Sequence, residues 1–152
     1  MKRHIRIRST GVYLPDRVLT NADLEKMVDT SDEWITTRTG IKERRMASKE
    51  QATSDLAVNA ARMALERGGL KAEDVDLILV ATNTPDTIFP ATACWVQKKL
   101  GIKETPAFDL EAGCTGLLYA LIVAEGLILS GTARRILLIG VDILTKITNW
   151  ED

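Results

Sequence analysis

Cys114 stands in the run Ala112-Gly113-Cys114-Thr115-Gly116, between a short apolar strand signal and a long apolar helix signal. A thiol at such a junction meets several effects at once. The unpaired N–H groups and the macrodipole of a helix N-terminus favour thiolate over thiol. The same N–H groups can receive the oxyanion that forms when a thiolate adds to a thioester carbonyl. Gly113 and Gly116 permit a tight turn and let a substrate come near the backbone, the geometry of a nucleophile elbow with Cys in place of Ser. On these residues alone, a structural cysteine held in a tight turn is an equal reading.

The remaining candidates are weighed the same way. A cysteine nucleophile works with a histidine or another polar partner. The only histidine is His4, which reads as a surface residue at the start of a first strand, so these 152 residues are not expected to hold a complete active site. Cys94, near Ala91, Trp95 and Leu100, reads as a small apolar core residue. Asp109, Glu111 and Asp142 do not fall at metal-ligand spacing, and no metal site, GxGxxG or phosphate loop is expected. Glu111, just before the thiol turn, reads as a cap or solvated group, with tuning of the thiol as the alternative. Trp34 and Arg38 are four residues apart and so share a helix face. An indole there can stack on a base while the guanidinium meets phosphate, or it can serve as a plain core anchor.

Elements that would position these groups are legible along the chain. Ile5, Ile7 and the residues to Val12 alternate as a strand, stopped at Leu14-Pro15. Thr20-Asn21 caps a short helix through Val28. Thr30-Ser31-Asp32-Glu33 has the form of a capping box for a second short helix carrying Trp34 and Arg38, closed by Gly40. Lys42, Arg44 and Arg45 read as a solvated turn, with a phosphate or acidic partner as the alternative, and Met46 to Ala52 as a polar loop. Thr53 or Ser54 caps a longer helix to Arg67, ended by Gly68-Gly69, with Ala57, Ala60, Ala61 and Ala64 as a close-packing stripe. Leu77 to Ala81 is a continuous apolar strand. A loop from Thr82 to Phe89 leads to Pro90 at the first position of a helix Ala91 to Leu100, ended by Gly101. Ala107 to Leu110 is a strand, and Leu117 to Ser130 a helix that is apolar nearly all round and therefore expected to be buried. Ile136 to Val141 is a further buried strand. Strands alternating with helices on short connections give an α/β fold with a mainly parallel sheet.

Composition excludes several classes. At 45% hydrophobic, 27% charged and a net charge of -1, the chain has the make-up of a soluble α/β domain and no footing for nucleic acid. The charged N-terminal residues lack the apolar stretch of a signal peptide, and the run Leu117 to Leu129 reads as too short to span a bilayer. Two cysteines twenty residues apart make no disulfide framework, which points to a reducing cytoplasm.

The run Asn21–Ile35 (NADLEKMVDTSDEWI), followed by Arg38-Thr39-Gly40-Ile41, closely resembles the start of the β-ketoacyl-[acyl-carrier-protein] synthase III family. The resemblance continues in order through residues 80–86 (VATNTPD), Phe89-Pro90-Ala91, residues 106–110 (PAFDL), the Cys114 turn and Gly140-Val141-Asp142. It implies a thiolase-like α/β fold with helices on both faces of the sheet, and a chain, residues 1–152, that is the N-terminal half of a two-half protein. The implied activity is initiation of fatty-acid synthesis by decarboxylative Claisen condensation. The cysteine takes an acyl group from acyl-CoA, acetyl-CoA being what the resemblance implies, and malonyl-acyl-carrier protein then loses CO2 and attacks the thioester. Carried over by position, Cys114 is the acylated nucleophile, and Thr30, Trp34 and Arg38 hold CoA. Phe89 lines the acyl pocket across a dimer interface, and Leu144 is a further pocket-wall residue. No cofactor is implied, acyl-CoA being a substrate; the partners are malonyl-acyl-carrier protein and a second copy in a homodimer, with neither nucleic acid nor membrane.

Two departures stand out. The family has Ala-Ala-Cys-Ala/Ser-Gly where this chain has Ala112-Gly113-Cys114-Thr115-Gly116, which leaves the preferred acyl group open. The family's catalytic His and Asn belong to the second half, so residues 1–152 alone are expected to be inactive in condensation. Two further readings are another thiolase-superfamily acyltransferase and a non-catalytic assembly module whose exposed sheet pairs with another subunit.

Overall fold

A computed structural model describes residues 5–150, which divide into two units: residues 14–51 with 143–150, and residues 5–13 with 52–142. His4 lies outside the described residues.

In the smaller unit, β1 (Arg17–Thr20) leads directly into α1 (Asn21–Leu24), and α2 (Asp32–Thr39) precedes β2 (Glu43–Met46). The two strands pair antiparallel, with Arg17 opposite Met46 and Thr20 opposite Glu43. Thr20 caps α1 reciprocally: its side chain accepts from the Asp23 N–H, and the Asp23 carboxylate accepts from the Thr20 N–H. The Thr20 hydroxyl also donates to Asp23 Oδ2 at 2.7 Å, and this bond, followed by that from the Thr20 N–H, holds the pKa of the Asp23 carboxyl down to about 2. Leu19, Leu24 and Ile35 form a small core, with Met46 and Trp150 packed on it.

Three expectations change here. The first helix stops at Leu24, not Val28, because the chain tightens to three-residue bonds, Lys26 N–H to Asp23 O and Met27 N–H to Leu24 O. The cap of α2 is Ser31, whose Oγ accepts from the Trp34 N–H at 3.0 Å, so the cap falls one residue after Thr30 and the expected reciprocal box with Glu33 does not form. Gly40 closes α2 as expected, at φ 71°. Arg44 and Arg45 are not in a solvated turn but in β2. The Arg44 guanidinium donates to the buried Asn21 side chain at 2.6 Å, and that of Arg45 to the Pro15 carbonyl. Four-residue strands with charged outer positions carry too little apolar alternation to be read from sequence.

The larger unit consists of α3 (Thr53–Gly68), β3 (Leu77–Ala81), α4 (Thr92–Leu100), β4 (Ala107–Leu110), α5 (Gly116–Ser130) and β5 (Ile136–Gly140). The sheet order is β4-β3-β5, all parallel, with Ala81 opposite Leu110 on one side and Gly140 on the other. Strand alternation divides β3 between two layers. Ile78 and Val80 pack with Ala57, Val58 and Ala61 of α3 and Ala93 and Val96 of α4. Leu77, Leu79 and Ala81 pack with Ala120 of α5. Helices therefore cover both faces, and β3, in the middle, is buried at every position.

The bounds of β3 and β4 are those read from the sequence, and Gly69 and Gly101 end α3 and α4 in the left-handed conformation. Pro90 lies outside α4, whose N-cap is Ala91 and first residue Thr92. Residues 5–12 form no strand, and none of the described residues pairs with them in a ladder. They bond to α3 instead: Ser9 Oγ donates to Ala64 O at 2.7 Å, and Arg67 donates to Thr10 O. Gly11 approaches so closely that a Cβ there would collide with Ala60 O and lie 2.6 Å from Ala64 N.

The largest correction concerns α5. It is not buried all round: Gly116, Ala120 and Ala124 are buried against the sheet, whereas Leu118 and Ile122 are each 62% exposed and Leu117, Tyr119, Leu121 and Leu129 are also open. A uniformly apolar sequence marks both faces alike, so the buried face is distinguished only by its small residues. With the turn before it, the stretch Gly113–Ser130 has a mean hydropathy of 1.7, enough in length and composition to cross a membrane, contrary to the estimate from the Leu117–Leu129 run. The packing of Ala120 on β3 gives it a core contact on one side.

Candidate active site

Cys114 lies in a short 3-10 turn, Gly113–Thr115, that joins β4 to α5. The chain leaves β4 through Ala112 at φ -153° and ψ 40° and reverses at Gly113, whose φ of 58° is in the left-handed region that glycine adopts without strain. The Gly116 N–H then closes the turn on Gly113 O, and Gly116 itself is buried against Ala81. The thiol is exposed. The expectation of a buried strand and helix on either side of it is not met: β4 is an edge strand and only half-buried.

The carboxyl ends of the three parallel strands meet around this turn. Asn83, two residues beyond β3, accepts the Gly113 N–H on its Oδ1 at 3.0 Å. Its Nδ2 donates to Asp142 Oδ2 at 3.2 Å, and its backbone N–H donates to Asp142 Oδ1 at 2.7 Å. Thr82 Oγ1 also donates to Asp142 Oδ1, at 3.3 Å. Asp109 of β4 turns to the next helix instead: its two carboxylate oxygens accept the Thr92 and Ala93 N–H groups at 2.6 and 2.7 Å, capping α4 from a neighbouring strand. Cys94 is half-buried on α4, its Sγ 3.9 Å from Ala107 O, as a small core-side residue would be. Glu111 is exposed. Among the described residues no three His, Cys, Asp or Glu side chains gather to hold a metal ion.

Phe89 is at the tip of the loop between β3 and α4, 89% exposed, with Ile88 beside it at 99%. The loop beneath them is firmly held. Thr53 Oγ1 donates to Thr84 O, and both the N–H and the hydroxyl of the buried Ser54 donate to the Asp86 carboxylate. Asp86 N–H donates to Thr92 Oγ1, Trp95 Nε1 to Thr87 Oγ1, and Thr87 Oγ1 to Pro90 O. Two large apolar side chains are thus presented to solvent on a loop whose polar groups are satisfied from below.

In the smaller unit, Trp34 is half exposed, and the Arg38 guanidinium lies over its ring at 4.8 Å from the centroid. The helical spacing brings the two together as expected. Thr30 sits half-buried, just before the α2 cap. The buried Asn21 fixes this helix: its Nδ2 donates to Asp32 Oδ1 at 2.7 Å and to Ile41 O at 2.8 Å, while its Oδ1 accepts from Arg44. Asn21 also lowers the Asp32 carboxyl below its ordinary range by hydrogen bonding. Leu144 starts a 3-10 turn in this same unit and is exposed. Cys114 and Phe89 therefore belong to one unit, and Thr30, Trp34, Arg38 and Leu144 to the other.

Reading by residue type gave Asn83 no role, took Asn21 only as part of a helix cap, and weighed Asp142 only as a metal ligand. For Asn83 and Asp142 a signal was available: each stands two residues past the end of an apolar strand, on the edge of the parallel sheet where Cys114 also emerges.

The chain is similar along most of its length to known proteins of one family. The family profile of 3-oxoacyl-[acyl-carrier-protein (ACP)] synthase III matches residues 108–152. A β-ketoacyl-[acyl-carrier-protein] synthase III of Caldanaerobacter subterraneus is 58% identical over 146 residues, covering 96% of this chain and 44% of that protein. Its counterpart in Thiobacillus denitrificans is 57% identical, covering 97% of this chain and 46% of that protein. The crystal structure of 3-oxoacyl-[acyl-carrier-protein] synthase III from Aquifex aeolicus superposes with a TM-score of 0.93 at 55% identity, over 96% of this chain and 47% of that one. The chain thus spans about half the length of the relatives it matches.

Proposed function

We infer that this chain, which corresponds to the N-terminal half of the β-ketoacyl-[acyl-carrier-protein] synthase III family and shares its thiolase-like fold, is the nucleophile-bearing half of an acyltransferase that initiates fatty-acid synthesis. The observation that carries this reading is the exposed Cys114 thiol, held at the turn between the carboxyl end of a parallel strand and the first turn of a helix. The Cys114 thiolate adds to the carbonyl of an acyl-CoA, acetyl-CoA in the first instance. The oxyanion is received by backbone N–H groups of the turn, CoA leaves as its thiolate, and an acyl-cysteine remains. Gly113 is not among those donors, because its N–H is committed to Asn83. The second step has malonyl-acyl-carrier protein lose CO2, and the resulting carbanion displaces the Cys114 thiolate to give 3-oxoacyl-carrier protein. That step calls on a His and an Asn outside residues 1–152, so these residues alone accept an acyl group without condensing it.

Trp34 and Arg38 supply an indole face and a cation one helical turn apart, suited to an adenine ring and a phosphate, with Thr30 beside them. Phe89 and Leu144 are the apolar groups assigned to the acyl pocket, Phe89 from across a homodimer. The working place is the cytoplasm, consistent with two free cysteines. A second reading, assembly without catalysis, is favoured by the open apolar face of α5.

A full-length enzyme carrying residues 1–152, incubated with acetyl-CoA and malonyl-carrier protein, tests the leading reading. Formation of 3-oxobutanoyl-carrier protein, lost in Cys114→Ala, is the expected result. Acylation without condensation on malonyl-carrier protein would point to another acyltransferase of the superfamily. No acylation together with concentration-dependent self-association would favour the assembly module.

A further inference from the structure

We propose that Asn83, held in one orientation by Asp142, is a positioning residue for the Cys114 nucleophile turn; this rests on the acyltransferase reading of Cys114 given above. Three strands end side by side in the order β4-β3-β5, and their last backbone bonds are Thr82 N–H to Leu110 O and Val141 N–H to Ala81 O. Beyond that point the ladder is continued by side chains. Asn83 spans the gap on both sides, accepting from Gly113 at 3.0 Å and donating to Asp142 at 3.2 Å.

The residue types fit the task. A carboxylate only accepts, so Asp142 turns the NH2 end of the Asn83 amide toward itself and leaves the carbonyl end for Gly113. Asp142 is itself fixed by the Asn83 N–H at 2.7 Å and the Thr82 hydroxyl at 3.3 Å. On the far side, the Gly113 peptide is the one that reverses the chain, at φ 58°, immediately before the nucleophile. Its N–H direction sets where the next residue begins, and a hydrogen bond to a group anchored on β3 ties that direction to the sheet. The loop carrying Cys114 is otherwise exposed from Glu111 through Thr115 apart from Ala112, so packing contributes little to holding it. Small misplacement of a reacting group is costly to rate even when binding is intact.

The role predicts a hierarchy: Asp142 acts on the thiol only through Asn83. Asn83→Ala removes the acceptor. Asn83→Asp keeps the acceptor but sets two carboxylates against each other. Asp142→Asn keeps the shape and loses the orientation. The full protein and these variants are compared in acyl transfer from acetyl-CoA and, separately, in alkylation of Cys114 by iodoacetamide across pH 6 to 10, roughly the range in which thiols titrate. We expect kcat to fall about tenfold or more in Asn83→Ala with KM for acetyl-CoA nearly unchanged, and the pH profile of alkylation to be displaced. Asp142→Asn should act in the same direction, and should add nothing in an Asn83→Ala background. Alkylation needs no acyl substrate, so it tests positioning even if the unaltered protein fails to take an acetyl group, which would count against the acyltransferase reading instead. Variants that retain the unaltered kcat and alkylation profile, or additive effects of the two substitutions, would overturn the proposal. If Asn83→Ala does not fold, Asn83→Asp and Asp142→Asn decide it by the same two readouts.

Discussion

Asp109 couples the strand that leads to Cys114 with the helix that follows the Phe89 loop, and its removal has a calculable cost. Its carboxylate accepts from the N–H groups of Thr92 and Ala93 at 2.6 and 2.7 Å, and both of those residues are fully buried. In Asp109→Ala, water does not readily reach the two donors. A hydrogen bond to a charged group contributes about 1.5–3 kcal/mol, and an unmet buried donor costs about 1–3 kcal/mol. Two bonds to one carboxylate are not independent, so the expected loss is about 2–4 kcal/mol, below their sum. Asp109→Asn keeps one acceptor and turns an NH2 toward the other donor, so it should lose about half as much or more. Urea unfolding followed by circular dichroism gives the magnitude, and amide exchange at Thr92 and Ala93 gives the location. The comparison is Glu111→Ala, an exposed carboxylate on the same segment, expected to change stability by less than about 0.5 kcal/mol. If Asp109→Ala were no less stable than Glu111→Ala, or if exchange at Thr92 and Ala93 did not accelerate, the cross-strand cap would not be what holds α4.

Gly11→Ala should cost about 1–3 kcal/mol and release residues 5–13 from α3, seen as faster tryptic cleavage after Arg6 and Arg8, because its Cβ would meet helix backbone that cannot yield. For Asp23, the folded pKa of about 2 lies below the ordinary 3.8, so its contribution to α1 is present above pH 3.8 and is lost as pH falls toward 2. A carboxyl NMR titration should show that midpoint moving up toward 3.8 in Thr20→Ala. Trp34→Ala should weaken CoA binding severalfold by calorimetry, with Arg38→Lys weaker in effect than Arg38→Ala, since Lys keeps charge but not the planar stack.

The sheet and its order of elements were legible because the central strand is an unbroken apolar run and the helices end in glycines that the left-handed C-cap requires. The position of Cys114 was legible for a related reason: an abrupt change from strand to helix needs small residues, and Gly113 takes the positive φ. What stayed hidden depends on contacts between distant residues. Strands β1 and β2 exist through pairing with each other, and residues 5–12 have strand alternation but no ladder partner among the described residues. The exposure of α5 could not be read because Leu118 and Ile122 look the same in sequence as buried leucines and isoleucines. Asn83 and Asp142 are separated from Gly113 by some thirty residues each way, and only the parallel register brings their strand ends together.

The most direct test of the account is the site of acylation. The protein incubated with an acyl-CoA, quenched in acid, digested and mapped by mass spectrometry should carry the acyl group on the peptide containing Cys114 and on no other, and Cys114→Ala should carry none. An acyl group found on Cys94 or elsewhere, or retained in Cys114→Ala, would contradict the assignment of Cys114 as the nucleophile.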